Sequence, residues 1–394
     1  MKGNGKMKNA LIIGSPDSIH SKNFIESILI NNKTVNKIDF FSIDYDCDIK
    51  AEYKEYYKEN NVHIICMESK KYKINAINKI KYISKKTKCL RDLLKDNEYD
   101  YCFVLYCGKY NAMWSSLFVK KFKKLIPVFW GGDVLRNNHL ENYFYRKMLN
   151  SSYKIVMPNE NSLRIFNEKT EHKYSNKTVV IQYPQKMIPS LMGSELNLNI
   201  NACKEKFNLP LNKKIVICGH TATRAENYLE VIEALQKCDS KVLEECYFVF
   251  MMTYAPEEYF KYQQEVEELL FESKLNGIVL KNFIPYDDIL SLHYASDIHI
   301  TAIKTDALSC FLQEELFSGS ILLYGKWLNY YEIENKDFFA ISFDSIPDLT
   351  NEFSRTMLNY AEYKERAKCN RNGIINLASE EAILREWNKE VFNK

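Results

Sequence analysis

The sequence predicts an α/β protein built from two doubly wound, Rossmann-like domains that face a central cleft. Short segments rich in branched and aromatic residues alternate with helical patterns along most of the chain, which is typical of parallel sheets covered by helices. The alternation is interrupted at 187–201, where a proline, a glycine and several asparagines indicate a linker. The 394 residues, of which 46% are hydrophobic, are enough for two cores.

We therefore predict an N-terminal Rossmann-like domain at 1–190 and a C-terminal Rossmann-like domain of similar size at 191–374. A C-terminal helix at 375–394 is predicted to pack back on the first domain. Clefts between domains are preferred small-molecule sites, so this organisation is that of a bilobal enzyme.

The first strand is predicted at 9–14, where the sequence NALIIG has four consecutive apolar residues before a glycine. A loop at 15–21 and a helix at 23–29 follow. Ligands of open α/β sheets bind beyond the carboxyl ends of the strands, so Asp17 and His20 in this loop are candidate catalytic groups. The alternative for His20 is an ordinary loop histidine.

A second strand is predicted at 37–43 and is followed by Asp44 and Asp46. Paired carboxylates can hold a divalent ion against a diphosphate. This short motif follows a second strand in a chain that has other phosphate-binding candidates. We therefore interpret the pair as a solvated acidic loop and predict no metal site. A third strand is predicted at 62–67.

Two basic segments belong to the N-terminal domain. The first, 69–91, carries nine Lys or Arg and no acid, with isoleucines mostly three apart. The second, 112–124, is predicted to be a helix in which Trp114 and Phe118 lie among lysines. Basic amphipathic helices suit an anionic membrane surface; the alternative is solvated helices packed by their apolar residues. No nucleic acid is expected as a partner, because the charge is local and no binding motif accompanies it.

Four further strands complete the N-terminal sheet, at 101–106, 127–130, 155–157 and 179–181. The second of these leads into the sequence WGGD, which ends at Asp133. Two glycines permit a ligand to approach the backbone closely. Asp133 is therefore a third candidate group at the end of a strand.

The C-terminal half begins with a strand at 214–218 that ends at Gly219. The loop after it leads into a helix at 226–235 and contains His220, Thr221, Thr223 and Arg224. Hydroxyls, free N–H groups and a guanidinium are what a protein offers a diphosphate in place of a metal. The loop has neither GK[ST] nor GxGxxG, which disfavours a P-loop and a dinucleotide-dependent hydride transfer. The alternative for Arg224 is a surface arginine at a helix start.

The stretch 298–325 has the pattern of strand, loop, helix, glycine stop and strand. Ser309 is the predicted N-cap of the helix. The free N–H groups and the positive dipole end of such a helix favour a phosphate, and Lys304 in the loop adds a cation. Asp306 and Glu314, eight residues apart, bracket the helix start, and their carboxylates suit sugar hydroxyls. The alternative is an ordinary β-α-β crossover with surface acids.

The other elements of this half follow the same alternation. Gly319 is the predicted left-handed cap of the helix in 298–325. Further strands are predicted at 246–252, 277–280 and 338–341, and helices at 256–272, 285–295, 346–368 and 380–392.

Composition excludes several classes of protein. The net charge is only +3, so the whole chain is not a polyanion binder. The eleven cysteines form no zinc-type cluster and indicate free thiols in a reducing compartment. No apolar run is long enough for a membrane span, and no secretory signal is expected. These features predict a cytoplasmic protein.

Several of these segments together resemble the GT-B glycosyltransferases. They are Trp130-Gly131-Gly132-Asp133, the glycine loop that ends at Arg224, and Asp306-x7-Glu314 ahead of Ser318-Gly319. The last resembles the E-x7-E pattern of the retaining family 4, with aspartate in place of the first glutamate. His220 stands where that family has an arginine. The 219–224 segment, MMTYAP at 251–256 and the 285–319 run look closer to the bacterial N-acetylfucosaminyltransferases of family 56.

The resemblance implies a metal-independent glycosyltransferase, in particular a hexosyltransferase, of bacterial surface polysaccharide synthesis. Family 56 enzymes move a sugar from a TDP-sugar to a lipid-linked acceptor with inversion; for this chain a TDP- or UDP-linked donor, a glycan or lipid-linked acceptor, and retention or inversion stay open. The enzyme would be peripheral on the inner face of the membrane. No cofactor besides the donor substrate is expected.

Roles for single residues follow from the same resemblance. The N-terminal domain would hold the acceptor and the C-terminal domain the donor. Glu314 would bind ribose hydroxyls. The donor-binding residues would be Gly219, His220, Thr221, Thr223, Arg224, Lys304, Asp306, Ser309 and Glu314. Inversion needs a base for the acceptor hydroxyl, and Asp133 is preferred over Asp17 and His20. A nucleotide-sugar epimerase and a non-catalytic GT-B partner subunit are the alternatives, and the second is disfavoured by the presence of Arg224, Lys304 and Glu314.

Overall fold

The computed structural model describes residues 8–44, 49–65, 76–137, 140, 142–184, 199–253, 257–336 and 338–393. Within them the chain forms two compact units: the first runs to Pro184 and includes the residues from Glu380 onward, and the second ends at Ser379. Each unit is a parallel sheet covered by helices, which confirms the predicted class of two Rossmann-like α/β domains. Asp46, the 69–75 part of the first basic segment, most of the linker and 254–256 lie outside the described residues.

Seven parallel strands form the sheet of the first unit, in the order β3-β2-β1-β4-β5-β6-β7. They are β1 (Asn9–Gly14), β2 (Lys37–Ser42), β3 (Val62–Ile65), β4 (Tyr99–Leu105), β5 (Phe122–Val128), β6 (Ile155–Met157) and β7 (Thr178–Val180). On β1, Ile12 is aligned with Phe40 of β2 and with Phe103 of β4. The strands are apolar on both faces because helices cover both, so the periodicity of exposed sheets is absent.

The helices of the first unit pack on the two faces of this sheet. They are α1 (Ile19–Phe24), α2 (Ala51–Glu59), α3 (Ala76–Asp96), α4 (Lys109–Leu117), α5 (Gly132–Leu135), α6 (Tyr143–Ser151) and α7 (Glu160–Lys169). The chain continues from α1 as a π-helix over Ile25–Asn31. One core contains Ile12 and Phe103, and the core on the opposite face contains Ile13 and Val104.

The predicted helix at 112–124 is wrong in its second half. Helix α4 ends at Leu117, and β5 begins at Phe122, which is buried beside the exposed Lys123. This segment pairs with β4 as a parallel strand, and Lys123 forms an ion pair of 2.9 Å with Asp100 of β4. Trp114 is fully buried and packs edge-on against Phe41 at 5.6 Å between ring centroids, so it is not available as a membrane foothold.

Six parallel strands form the sheet of the second unit, in the order β10-β9-β8-β11-β12-β13. They are β8 (Lys214–Cys218), β9 (Cys246–Met251), β10 (Gly277–Leu280), β11 (Ile298–Thr301), β12 (Ile321–Gly325) and β13 (Ala340–Phe343). Ile298 of β11 is aligned with Val216 of β8 and with Ile321 of β12. These central strands are almost wholly apolar, as expected of a sheet covered on both faces.

The helices of the second unit complete the doubly wound arrangement. They are α8 (Ile200–Lys206), α9 (Tyr228–Leu235), α10 (Ser240–Glu244), α11 (Phe260–Glu272), α12 (Tyr286–Ala295), α13 (Cys310–Ser318), α14 (Tyr331–Asn335), α15 (Leu349–Leu358), α16 (Tyr360–Lys368) and α17 (Asn370–Ala378). Helix α13 begins after Ser309 and ends at Gly319, whose φ is +80°. Both positions agree with the prediction, but the Ser309 side chain forms no capping hydrogen bond with a described residue.

The C-terminal segment belongs to the core of the first unit. Helix α18 (Glu380–Trp387) is followed by a π-helix at Asn388–Phe392. Trp387 is buried, with its ring 5.3 Å from Phe24 and 6.2 Å from Phe103. This indole covers β-sheet residues that would otherwise meet water, and so the end of the chain contributes to the stability of its beginning. None of the helices in the described part of the chain is long and apolar enough to cross a bilayer.

Candidate active site

The strand order of each sheet reverses at one point, between β1 and β4 in the first unit and between β8 and β11 in the second. Ligands of open α/β sheets bind outside the carboxyl ends of the strands at such points. All the predicted donor-binding residues lie in the loops after β8 and β11 or in the helix that follows β11. The two loops are joined, because the Lys304 N–H donates to the Ala225 carbonyl at 2.8 Å and the Asn227 side chain to the Ala302 carbonyl at 2.6 Å.

Gly219 is required by packing behind the first loop. Its φ is +62°, and a Cβ there would lie 2.4 Å from the hydroxyl of Tyr228. That hydroxyl lies 2.7 Å from the carbonyl of Thr221 and 2.6 Å from that of Met251. The glycine therefore allows a buried tyrosine to hold the loop in place.

A buried carboxylate that the sequence analysis missed organises the same loop. Glu226 Oε1 accepts hydrogen bonds from the Thr221 N–H at 3.0 Å and from its hydroxyl at 2.8 Å, and it lies 3.3 Å from Nδ1 of His220. The other oxygen, Oε2, is buried without a hydrogen-bond partner among the described residues. Burial raises the pKa of Glu226, while His220 and Thr221 oppose the shift. The pattern Thr223-x-x-Glu226, a capping-box spacing, was the available signal.

The side chain of Arg224 contacts the neighbouring helix α11. Its guanidinium forms a 2.6 Å ion pair with Glu265 on α11 and lies 4.4 Å from the ring centroid of Tyr262. The guanidinium is more than half exposed. A diphosphate would have to compete with Glu265 for this cation.

The start of α13 is capped by a carboxylate from the loop. Asp306 Oδ2 accepts hydrogen bonds from the Ser309 N–H and from the Tyr330 hydroxyl, both at 2.8 Å. Because Asp306 takes the capping role, the hydroxyl of Ser309 is buried without a partner in the described part of the chain. Lys304 is exposed and forms no ion pair with a described residue. This helix start therefore offers a hydroxyl and a nearby cation.

Glu314 forms part of a buried Glu–His–Glu network. Its Oε2 lies 2.9 Å from Nε2 of His293, and Nδ1 of the same ring lies 2.8 Å from Oε1 of Glu315. Ser320 donates its hydroxyl hydrogen to Glu315. Burial opposes a charge on His293, but the two carboxylates outweigh it and raise the pKa of His293 to about 9. Glu314 is thus anchored by a cation, which leaves its second oxygen as the atom for any ligand contact.

Three histidine rings surround Phe311 at the start of α13. The ring centroids of His220, His293 and His299 lie 5.9, 4.6 and 5.5 Å from that of Phe311. His299 is buried on β11, and neither of its ring nitrogens has a hydrogen-bond partner within the described residues. Burial lowers its pKa to about 4. The lone histidine in the apolar strand sequence IHIT was the signal that the sequence analysis did not use.

In the first unit, Asp17 and His20 follow β1 but have structural partners. Asp17 Oδ1 accepts a hydrogen bond from the Lys50 N–H at 2.8 Å. The His20 ring lies 5.0 Å from Trp130 and 5.5 Å from Tyr183. Burial lowers the pKa of His20, so its imidazole is neutral at physiological pH.

Asp133 joins the turn after β5 to the loop after β4. Its Oδ2 accepts a hydrogen bond from the Cys107 N–H at 2.6 Å, and its Oδ1 accepts one from the Trp130 N–H at 2.8 Å. Burial raises the pKa of Asp133 to about 6 even though these amides favour the ionised form. Both oxygens are therefore positioned by the backbone.

The acidic loop after β2 is only partly described. Asp44 accepts a hydrogen bond from the hydroxyl of Ser15 at 2.6 Å, and burial raises its pKa. Across the described ranges, no group of three or more His, Cys, Asp or Glu residues is arranged to hold a metal ion.

No protein-family model matches this chain, and no curated protein matches it in sequence. Solved structures do match. HepE from Anabaena, in complex with UDP, gives a TM-score of 0.71 at 12% identity, covering 98% of this chain and 100% of HepE. A glycosyltransferase from Rickettsia africae gives 0.73 at 16% identity, covering 99% and 100%.

Sucrose-phosphate synthase from Thermosynechococcus elongatus gives a TM-score of 0.73 at 10% identity, covering 98% of each chain. At such identities the likeness concerns the fold. With two Rossmann-like domains and matches over nearly the full length of all three proteins, this chain has the GT-B fold of glycosyltransferases.

Proposed function

We propose that this protein is a glycosyltransferase that takes its sugar from a nucleotide-diphosphate donor bound at the β8 and β11 loops. The observation that carries the proposal is the pair of unsatisfied buried groups there, Oε2 of Glu226 and Oγ of Ser309, which have no partner in the described part of the chain. A buried polar atom left unpaired is costly. The hydroxyls and phosphate of a nucleotide sugar would satisfy both. HepE, which shares the fold, was solved with UDP and with UDP-glucose.

The chemistry requires stabilisation of the departing diphosphate, because negative charge grows on it as the glycosidic bond breaks. We assign this role to the Lys304 ammonium, the start of α13 and the loop from His220 to Arg224. We assign the hydroxyls of the ribose and the sugar to Glu226 and to the free oxygen of Glu314. The proposal needs no divalent metal, since these groups supply both positive charge and hydrogen-bond donors.

We further propose that the acceptor is a glycan or a lipid-linked sugar of bacterial surface polysaccharide synthesis, as the sequence resemblance to family 56 implies. Asp133 is the proposed base, because a carboxylate with a pKa of about 6 is ionised at neutral pH yet basic enough to take a proton. The exposed cations of α3, together with Ile80, whose side chain is 68% exposed, support a peripheral position at an anionic membrane.

The test is a titration of TDP-, UDP- and GDP-sugars, read as thermal stabilisation, with and without EDTA. We expect one nucleotide class to stabilise the protein equally in both conditions. Glu226→Gln replaces a hydrogen-bond-accepting oxygen with an amide NH₂ group. We expect this variant to bind the nucleotide sugar at least tenfold more weakly. The matched control is Glu230→Gln, an exposed glutamate of α9. Equal affinities in the two variants would exclude Glu226 from the site, and binding lost in EDTA would contradict the metal-free proposal.

Turnover separates the alternatives. A nucleotide-sugar epimerase would convert its substrate with no acceptor present, and a non-catalytic subunit would bind the nucleotide without turnover with any acceptor. A transferase should release the nucleoside diphosphate only when an acceptor is added.

A further inference from the structure

The first unit contains a cavity of about 330 Å³ at the carboxyl ends of β4 and β5. Its lining includes Tyr106 and Lys109 from the loop and helix after β4, and Asp133 and Arg136 from the turn after β5. The volume is at the lower end of the range for small-molecule pockets. Ligands of open α/β sheets bind outside the carboxyl ends of strands, so this cavity lies where the fold presents its loops for binding.

The charges in the cavity favour an anion. Lys109 and Arg136 are exposed, and neither forms an ion pair with a described residue. The carboxylate of Asp133 is the acidic group of the lining, and both of its oxygens already accept backbone N–H groups. Helix α4, nine residues long, begins at Lys109 with no side-chain cap, and its free N–H groups add to the positive potential.

The cavity also has an aromatic wall. Tyr106 has φ of +55°, a left-handed conformation that is unusual for a bulky residue. Its side chain is 44% exposed, and its ring lies 5.4 Å from Trp130. Backbone conformations of this kind persist where the surrounding structure enforces them, and here the Tyr106 N–H donates to the Val128 carbonyl at 3.2 Å. An exposed ring beside two cations is suited to a sugar face next to an anionic group.

We propose that this cavity binds a sugar that carries a phosphate or diphosphate group, with the anion at Lys109, Arg136 and the start of α4 and the sugar against Tyr106. The role of this ligand as the acceptor rests on the proposed function, whereas its binding does not. The same chemistry occurs in free sugar phosphates and in lipid-linked sugar diphosphates. The carboxylate of Asp133, the proposed base, lines the same cavity, so an acceptor hydroxyl bound there would meet it.

Binding is tested by titrating the full chain with glucose 6-phosphate and with glucose, followed by calorimetry and ligand-observed NMR. We expect glucose 6-phosphate to bind at least tenfold more tightly than glucose. The double variant Lys109→Gln/Arg136→Gln should lose roughly tenfold or more of that affinity. The control is Lys120→Gln/Lys121→Gln, which removes the same charge from exposed positions outside the cavity. Equal losses in the two double variants, or no loss in the first, would overturn the proposal.

Two further measurements test the sugar contact and the source of the anion. Tyr106→Ala should reduce affinity for glucose 6-phosphate severalfold while leaving inorganic phosphate unchanged; equal effects on both would contradict the sugar contact. The affinities for glucose 6-phosphate and farnesyl-diphospho-N-acetylglucosamine are then compared. Tighter binding of the first indicates a free sugar phosphate as the natural ligand, and tighter binding of the second indicates a lipid-linked sugar diphosphate. UDP affinity measured on the same variants should be unchanged. A protein that binds the sugar phosphate but no nucleotide would keep this site and lose the proposed transferase function.

Discussion

His293 and His299 are buried near the same phenylalanine, but their environments shift their pKa values in opposite directions. The two carboxylates beside His293 raise its pKa to about 9, and burial lowers the pKa of His299 to about 4. We predict that NMR of histidine-labelled protein at pH 7.5 shows a protonated ring for His293 and a neutral ring for His299. His293→Gln and His299→Gln provide the assignments. A neutral His293 at pH 7.5 would contradict the Glu–His–Glu network.

The raised pKa of His293 also makes the free energy of unfolding depend on pH. Because the pKa of His293 is raised above its unfolded value of 6.5, its contribution is complete below about pH 6.5 and is lost as pH rises through about 9. The wild type should therefore lose more of its free energy of unfolding between pH 7.5 and 10 than His293→Gln does.

Arg224 and Glu265 form a pair in which a phosphate would have to replace the carboxylate. We predict that Arg224→Ala weakens nucleoside-diphosphate binding by roughly ten- to a hundredfold, with little loss of fold stability. Glu265→Gln, which frees the guanidinium, should leave affinity equal or tighter. The measurement is calorimetric titration of both variants. Unchanged affinity in Arg224→Ala would remove this residue from the donor site.

If Asp133 is the base, the rate of sugar transfer should fall at low pH. Its pKa is raised to about 6, so the rate should rise between pH 5 and 7 as the carboxylate ionises. We predict that Asp133→Asn loses this limb and lowers kcat roughly 10²- to 10⁴-fold. Asp100→Asn is the control, because Asp100 also accepts a backbone N–H, that of Asn9 at 3.0 Å. A pH limb that survives in Asp133→Asn and disappears in Asp17→Asn would move the base to Asp17.

At the scale of elements, the strand–loop–helix after β8 depends on the contact between Gly219 and Tyr228. We predict that Gly219→Ala destabilises the protein by about 2–4 kcal/mol, from its positive φ and from the overlap with the tyrosine ring. Gly132→Ala is the matched control, because a Cβ at Gly132 meets no atom within 4 Å. Denaturant unfolding of the two variants measures the difference. A loss below 1 kcal/mol in Gly219→Ala would show that the loop repacks easily.

Helix α3 combines a buried side with a cationic one. Leu90 and Leu94 are in the core, and the buried ammonium of Lys86 donates to the Ser42 carbonyl at 2.5 Å. Burial lowers the pKa of Lys86 to about 8. The element is therefore a packed helix of the first unit, while six other cations remain exposed, at Lys79, Lys81, Lys85, Lys88, Arg91 and Lys95.

The net charge of the whole molecule is only +3, so binding to a membrane would have to come from the exposed cations of α3. We predict binding to anionic vesicles at low salt that falls steeply by half-molar salt, since each cation contributes roughly 1 kcal/mol and is screened within about 10 Å. Reversal of Lys81, Lys85, Lys88 and Arg91 of α3 to Glu should abolish binding in a co-sedimentation assay. The control is the reversal of Lys120 and Lys121. A folded protein that does not bind at low salt would favour a soluble acceptor.

Local sequence patterns are enough to predict the fold class and most strand positions. Apolar runs such as 9–14 and 214–218 are short, rich in isoleucine and end at or next to a glycine, which favours a strand over a helix. The ends of α13 at Ser309 and Gly319 are also predictable from the local sequence, whereas the capping hydrogen bond comes from Asp306. The helix predicted through 118–124 is wrong because the lysines there resemble the polar face of a helix, whereas Phe122–Val128 pairs with β4 as a strand.

The contacts between polar groups, in contrast, depend on the tertiary structure. The pairing of His293 with Glu314 and of Arg224 with Glu265 joins residues of different helices, and no periodicity within one segment contains that information. The unsatisfied oxygen of Glu226 depends on the fold of the loop around it. The cavity beside Tyr106 depends on the two loops that Asp133 connects. Chemistry at strand ends arises from side chains distant in sequence, which the order of strands in the sheet brings together.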